Sequence, residues 1–196
     1  MPPQFSFDPA RTAVLSMDLQ TAIVGIYAKD QEGPLLTRIA SVLKHARSRG
    51  TRIIHIQVGF RPNLPEVSSR NTLLAAIKNS PKHQQLFQGV AGAIHPAIAP
   101  HADDIVIVKH RVSAFTGSDL EMILRANDID TLILFGVSTS GVVLSTLLEA
   151  ADKDYRLVVI RDCCADLDPV LHSCLIDKLF PRHASVVSAD EFLALT

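Results

Sequence analysis

The sequence contains no tryptophan, two tyrosines and only three cysteines among 196 residues. Cys163, Cys164 and Cys174 form an odd, clustered set without zinc-type spacing. They predict reduced thiols rather than a disulfide framework. Long apolar runs are also missing, and the proline-containing segment before Ala10 lacks the features of a signal peptide. We therefore expect no membrane span and a cytoplasmic protein.

An excess of charge of one sign is absent as well. Nineteen Lys and Arg residues balance twenty Asp and Glu residues, so no global field recruits nucleic acid or an anionic membrane. No Gly-x-Gly-x-x-Gly or Gly-Lys-Ser/Thr loop is present, and the eight histidines lack the spacing of metal ligands. The sequence thus predicts a small-molecule partner, with no cofactor and no metal.

Six short apolar runs rich in β-branched residues predict buried strands. Helical patterns separate most of them, the first over residues 34–49, and this alternation predicts a mainly parallel sheet. We expect one domain over residues 1–196, an α/β three-layer sandwich of the Rossmann-like kind. The predicted strands are residues 12–18, 52–58, 104–109, 131–135, 156–160 and 184–187.

The exception to the alternation is the stretch 59–103, which contains five prolines and one plausible helix near residues 73–77. Long segments without regular structure in compact domains are often binding elements. This stretch is therefore a candidate for contact with a ligand.

Polar residues at the carboxyl ends of the strands are the first candidates for a site, because ligands of open parallel sheets bind there. Asp18 ends the first strand and Lys109 ends the third. Taken singly, Asp18 also fits a turn or helix cap, and Lys109 a solvated strand end. The segment 136–141 follows the fourth strand and opens a helix, where backbone amides can hold an anion.

Three segments carry a resemblance to the isochorismatase-like cysteine hydrolases. They are Asp18-Leu-Gln, Lys109-His-Arg-Val-Ser-Ala-Phe and Gly136-Val-Ser-Thr-Ser-Gly-Val, in the order of that family. The resemblance covers residues 12–192. It implies the fold of the family and a hydrolase activity on an amide C–N bond or a vinyl ether.

The resemblance also implies roles for individual residues. Asp18 corresponds to an acid or base and Lys109 to its electrostatic partner. A cis peptide would join Val137 to Ser138, and the amides near Ser138 to Val142, that of Gly141 among them, would face developing charge. The family's nucleophilic cysteine falls on Val142, which cannot attack a substrate.

Four explanations of Val142 remain open. Asp18 could donate a proton to a vinyl ether, with water completing the reaction, or act as a base that activates water. The nucleophile could instead have moved to Ser138, Ser140, Cys163 or Cys164, although Ser140 also fits a helix cap. The chain could also be an inactive family member that binds a small ligand or a protein partner.

Several arginines favour an anionic substrate. Arg61 and Arg111 could bind a carboxylate through paired hydrogen bonds, and they fit surface salt bridges equally well. Gln20 and Phe115 are expected to line the pocket with them. The metal-binding histidines of nicotinamidases have no counterpart in residues 60–70. The resemblance further implies a homo-oligomer, a dimer or larger.

Overall fold

The computed structural model describes residues 7–194, and six parallel strands form its centre. Their order in the sheet is β3-β2-β1-β4-β5-β6, and every neighbouring pair is parallel. The predicted α/β fold is confirmed. The strands are β1 (Thr12–Met17), β2 (Arg52–Val58), β3 (Ile105–Lys109), β4 (Thr131–Val137), β5 (Arg156–Ala165) and β6 (Ser185–Val187).

Helices flank this sheet. No helix within residues 7–194 combines the length and apolar character that crossing a membrane requires. The α-helices are α1 (Thr21–Tyr27), α2 (Glu32–Ser48), α3 (Thr72–Lys78), α4 (Pro81–Gln85), α5 (Gly89–Gly92), α6 (Leu120–Ala126), α7 (Leu144–Asp152), α8 (Pro169–Cys174) and α9 (Ala189–Leu193). Short π-helical or 3-10 turns cover Pro9–Arg11, Pro96–Ile98, Thr139–Val143, Leu175–Leu179 and Phe180–Arg182.

The core follows from the apolar runs. Every residue of β1 and β4 is buried, because these central strands have helices on both faces. Helix α2 buries the stripe of apolar residues that the sequence predicts, and Gly50 follows it with a φ of 73°. A glycine adopts this left-handed conformation without the steric cost that a Cβ adds, so the chain can turn into β2.

The stretch 59–103 is more helical than predicted. It contains α3, α4, α5 and the turn Pro96–Ile98, where the sequence suggested a single helix. Pro81 lies in the first turn of α4, and the side chain of Ser80 caps this helix. Proline is favoured in the first turn because a backbone N–H at that position would have no acceptor within the helix, so its absence costs nothing.

Candidate active site

Asp18 and Lys109 meet at the carboxyl edge of the sheet. Asp18 follows β1 directly, with a φ of 54°, and its N–H donates to the carbonyl of Ile56 in β2 at 2.9 Å. Lys109 ends β3, on the far side of β2. Its Nζ lies 2.9 Å from Oδ2 of Asp18, so the long lysine side chain spans the intervening strand.

The ammonium group of Lys109 has an acceptor for each of its three protons. Besides Asp18 Oδ2, it donates to the carbonyls of Arg111 at 2.9 Å and Val112 at 2.8 Å. The side chain is 1% exposed. A solvated strand end, one of the structural explanations for Lys109, is therefore wrong, and the lysine is a fixed, buried charge.

The carboxylate of Asp18 is less completely satisfied. Oδ1 is buried and has no hydrogen-bond partner among the described residues, whereas Oδ2 accepts from Lys109. Burial raises the pKa of Asp18 to about 6, although the charge and hydrogen bond of Lys109 act in the opposite direction. Desolvation thus outweighs the ion pair, a balance that the sequence did not reveal.

Both residues line a cavity of about 160 Å³ at the strand ends. Nine of its sixteen lining residues have aliphatic or phenyl side chains, among them Ile77 and Phe87 of the stretch 59–103. This stretch does line the cavity. Tyr27 of α1 and Leu73 of α3 also line it, and sequence reasoning missed both as site residues. Leu73 lies in the stretch that the sequence indicated as a candidate for ligand contact, whereas nothing in the sequence marked Tyr27, because it lies on a short helix whose docking is a tertiary feature.

The last residues of β4 lie very close to the backbone of β1. A Cβ on Gly136 would collide with the carbonyl oxygen of Met17, and φ at Gly136 is 146°. Only glycine fits this approach. The next peptide bond, between Val137 and Ser138, is cis, at the position that the family resemblance implied.

Ser138 is the N-cap of the π-helical turn Thr139–Val143, and its Oγ accepts a hydrogen bond from Gly141 N at 3.1 Å. The expected helix cap at Ser140 is therefore wrong, because the helical turn begins at Thr139 and Ser138 caps it. The amide of Ser140 instead donates to Asp166 Oδ2 at 2.7 Å. Two of the amides considered for developing negative charge, those of Ser140 and Gly141, thus already have acceptors from the protein.

Val142 lines the cavity and is 2% exposed. Cys163 and Cys164, near the end of β5, do not line this cavity. Cys164 donates to the carbonyl of Ile160 at 3.4 Å, and burial raises its pKa to about 12. Burial also raises the pKa of Cys163. Both thiols are kept protonated at neutral pH, which does not favour either as a relocated nucleophile.

Arg111 lines the cavity as predicted, but Gln20 and Phe115 do not. Gln20 is fully buried, and its amide exchanges hydrogen bonds with the backbone of Val58 while also donating to the carbonyl of Gly92. The expectation that Gln20 lines the pocket is corrected, because these bonds tie β2 to α5 instead.

Phe115 packs against Tyr155, with ring centroids 5.9 Å apart, under the ammonium of Lys153. It belongs to the core and not to the cavity lining. Arg61 is also outside the lining: its side chain is 61% exposed and lies 3.9 Å from Glu66. A contact of either residue with a substrate stays a prediction.

Groups of histidine, cysteine and carboxylate side chains that could hold a metal ion are not found within residues 7–194. Near the cavity, Nδ1 of His110 contacts the carbonyl of Gly59 at 2.6 Å. The site consists of one buried ion pair with an open carboxylate oxygen, nine apolar side chains, and the polar side chains of Tyr27, His110, Arg111 and Ser138.

Comparisons with known proteins agree with this geometry. The isochorismatase domain family matches residues 12–191. Maleamate amidohydrolase of Pseudomonas putida is 27% identical over 78% of this chain and 70% of that protein. Ureidoacrylate amidohydrolase of Methylorubrum extorquens is 29% identical over 86% of this chain and 75% of that protein.

A solved structure gives the same result. An isochorismatase family protein from Burkholderia thailandensis superimposes with a TM-score of 0.84 and 25% identity, covering 96% of each chain. The match of the domain family over nearly the whole described chain, together with the parallel sheet that carries Asp18 and Lys109 at its carboxyl edge, leads to one conclusion. The chain belongs to the isochorismatase family of hydrolases.

Proposed function

We propose that this protein hydrolyses a small molecule with Asp18 as its proton-transferring group and without a cysteine at position 142. One observation carries the proposal: Oδ1 of Asp18 is buried at the cavity without a partner, while Lys109 holds Oδ2. A buried polar atom without a hydrogen bond costs free energy, and a catalytic role is one of the reasons for which proteins keep such atoms. A water or substrate donor in the cavity would complete it.

For an amide substrate, Asp18 acts as a base. Its carboxylate takes a proton from water, and the hydroxide forms a C–O bond at the amide carbon. The proton then passes from Asp18 to the leaving nitrogen, and the C–N bond breaks to give a carboxylic acid and an amine. Lys109 is a positioning residue. It holds the carboxylate of Asp18, and all three of its N–H groups already have acceptors in the protein, so none is available to the substrate. The two amidohydrolases among the relatives support this bond type.

A vinyl ether is the second candidate, and the raised pKa of Asp18, about 6, favours it. The protonated carboxyl would transfer its proton to the terminal vinyl carbon, leaving a cation that oxygen stabilises. Water adds to this cation and returns a proton to Asp18, and the resulting hemiketal separates into a ketone and an alcohol. Neither route requires a nucleophile at Val142.

The test is a turnover screen of amides, ureides and isochorismate with wild type and Asp18→Asn. We expect at least one compound to be hydrolysed by wild type and to be hydrolysed far more slowly by the variant. Equal rates for both proteins on every compound would remove Asp18 from the reaction. No turnover of any compound would favour the alternative, an inactive family member that binds a ligand or partner.

Three further predictions from the sequence accompany this proposal. A homo-oligomer is expected from the family resemblance, and light scattering coupled to size-exclusion chromatography would measure it. A cytoplasmic location and the absence of a cofactor are likewise proposed.

A further inference from the structure

We propose that the cavity beside Asp18 selects neutral, ring-sized molecules carrying an N–H or O–H donor, in place of the anionic metabolite expected from the sequence. The inference depends on the proposed function only in taking this cavity as the substrate site. Four features of the site support it: how its cations are used, how its helix start is occupied, what its wall is made of, and which polar atom is left open.

The cations of the site are engaged by the protein. Lys109 donates all three protons to Asp18, Arg111 and Val112, as described above. A fourth acceptor, such as a substrate carboxylate, would have to displace one of these partners. Lys109 therefore neutralises Asp18 and does not recruit an anion.

Arg111 is anchored to the backbone of its own surroundings. Its two terminal nitrogens donate to the carbonyls of His110 at 2.7 Å and Glu66 at 2.9 Å. A carboxylate that binds a guanidinium through two parallel hydrogen bonds needs adjacent N–H groups free. These two bonds use two of the five N–H groups of Arg111 and fix the orientation of its guanidinium, so a substrate anion would have only the remaining three.

The helix start that could bind an anion contains an anion already. The amide of Ser140 donates to the carboxylate of Asp166 at 2.7 Å, and the amide of Gly141 donates to Ser138 Oγ. Positive ends of helices stabilise negative charge. Here a side chain of the protein supplies that charge, so a substrate anion gains less from this position.

The wall of the cavity suits an uncharged body. Ile23, Leu74, Ile77, Phe87 and Val142 are among the nine apolar residues that line it. An apolar cavity of about 150 Å³ is known to accept benzene, and this one measures about 160 Å³. A six-membered ring or a branched aliphatic group of similar size would fill it.

The open polar atom is an acceptor. Oδ1 of Asp18 is buried without a partner, and the side chain is 10% exposed. A neutral N–H or O–H group satisfies this oxygen, whereas a substrate carboxylate next to it adds like-charge repulsion in a poorly solvated site. An ammonium group would in turn lie close to the ammonium of Lys109.

The experiment compares three ring compounds that contain no hydrolysable bond: benzyl alcohol, benzoate and benzylamine. Binding to the wild-type protein is measured at pH 8 by NMR titration. We expect benzyl alcohol to bind at least about tenfold more tightly than either charged compound, because it alone satisfies Oδ1 without placing a charge in the cavity. Tighter binding of benzoate or benzylamine, equal affinities, or no saturable binding of benzyl alcohol would overturn the proposal.

Two variants sharpen the result. Asp18→Asn keeps an acceptor for Lys109 and turns an N–H₂ donor toward the cavity, so the preference for the alcohol over benzoate should fall by about tenfold or more. Arg111→Gln should leave the wild-type ranking unchanged, and a loss of benzoate binding as the main effect would count against the proposal. Because no compound reacts, a failure of the hydrolase proposal would show as absent turnover while this ranking persisted.

Discussion

Two buried carboxylates lie at opposite ends of the β2–β3 pair, and they differ in their hydrogen-bond partners and in the direction of their pKa shifts. Asp18 lies at the carboxyl end, in contact with Lys109 of β3, and Asp104 immediately precedes β3. Their side chains are 10% and 5% exposed, so both are nearly withdrawn from water. What differs is the number of donors around each.

Asp104 is surrounded by donors. Arg47 contacts it with two nitrogens, at 2.6 and 3.3 Å, the amide of His101 donates at 2.8 Å, and His55 lies at 3.4 Å. Burial raises the pKa of Asp104, but these hydrogen bonds and charges more than offset it and the pKa ends below its usual value. At Asp18 the charge and hydrogen bond of a single cation do not overcome the effect of burial, and the pKa ends above its usual value.

The difference teaches that burial alone does not determine the charge of a carboxyl group. A carboxylate with several donors is a structural anchor, because the folded state favours its ionised form. One with a single donor and an open oxygen is ready to exchange a proton. The contrast between Asp104 and Asp18 can be tested by matched variants.

The largest expected effect is on activity. Asp18→Asn should reduce kcat/KM on any substrate found for the wild type by about 10²–10⁴-fold, the usual contribution of general acid–base catalysis. Asp104→Asn should retain kcat/KM per folded molecule within about a factor of three, since a remote substitution leaves the reacting groups in place. Steady-state kinetics with the folded fraction measured by circular dichroism would decide. A comparable loss of kcat/KM in both variants would show that the two carboxyls do not differ in their contribution to catalysis.

The second effect is on stability. Asp104→Asn should lower the free energy of unfolding by about 3 kcal/mol, because Arg47 is left without its counter-charge. Asp18→Asn likewise removes the counter-charge of Lys109, but it also removes a carboxylate whose ionised form the folded state disfavours, so its net cost should be smaller. Urea denaturation at pH 7 measures both, and a larger loss for Asp18→Asn would contradict this explanation.

The two carboxyls should also differ in how pH acts on stability. The contribution of Asp104 is present above its unfolded-state pKa, near about 4, and is lost as the pH falls through its lowered folded-state value. The contribution of Asp18 has the opposite sign: it is present below about 4 and is lost as the pH rises through about 6. Denaturation of wild type and Asp18→Asn between pH 4 and pH 7 would isolate it, as the variant lacks this decline.

The third effect is on the pH profile of kcat/KM, whose midpoint should lie near 6. The rate should rise with pH through this midpoint if Asp18 acts as a base and fall if it acts as an acid. Lys109→Met should move the midpoint upward by about one to three pH units, because it removes the charge that lowers the pKa of Asp18. Lys109→Arg is the matched control that keeps the charge. An unchanged midpoint in Lys109→Met would disprove the coupling.

The smallest effect concerns a restored thiol. Val142→Cys should react with iodoacetamide roughly fivefold faster than the exposed native Cys174, since Asp18 can take up its proton. The buried Cys163 and Cys164 should not react with iodoacetamide in the folded protein. Adding Asp18→Asn to Val142→Cys should abolish the difference. A rate no faster than that of Cys174 would argue against a working proton acceptor beside residue 142.

The sequence predicted the sheet well and the stretch 59–103 less well. The six strands lie within a few residues of their predicted places, apart from β5, which continues to Ala165. Apolar periodicity is a local signal that burial on both faces makes strong. In the stretch 59–103 the helices are short, and Ser80-Pro81 begins one that the sequence did not predict.

For the candidate site, the sequence indicated which residues to examine but not how they interact. Asp18 and Lys109 were identified from their positions at strand ends, and the two side chains do meet. Gln20 and Phe115 belong to the same motifs but lie outside the cavity. Side-chain direction depends on the packing of neighbouring elements, which motif spacing does not encode.

The order of apolar and polar residues was enough, on its own, to predict the parallel sheet and to identify the residues at its carboxyl edge as candidates for the site. Only the tertiary structure determined the hydrogen-bond partners of these residues. Lys109 donates all its ammonium protons to acceptors within the protein, Asp166 accepts from an amide at the helix start, and Oδ1 of Asp18 has no partner among the described residues. Strand formation follows local periodicity. The charge state and hydrogen-bond partners of a buried group follow from the sum of its surroundings, and those come together from distant parts of the chain.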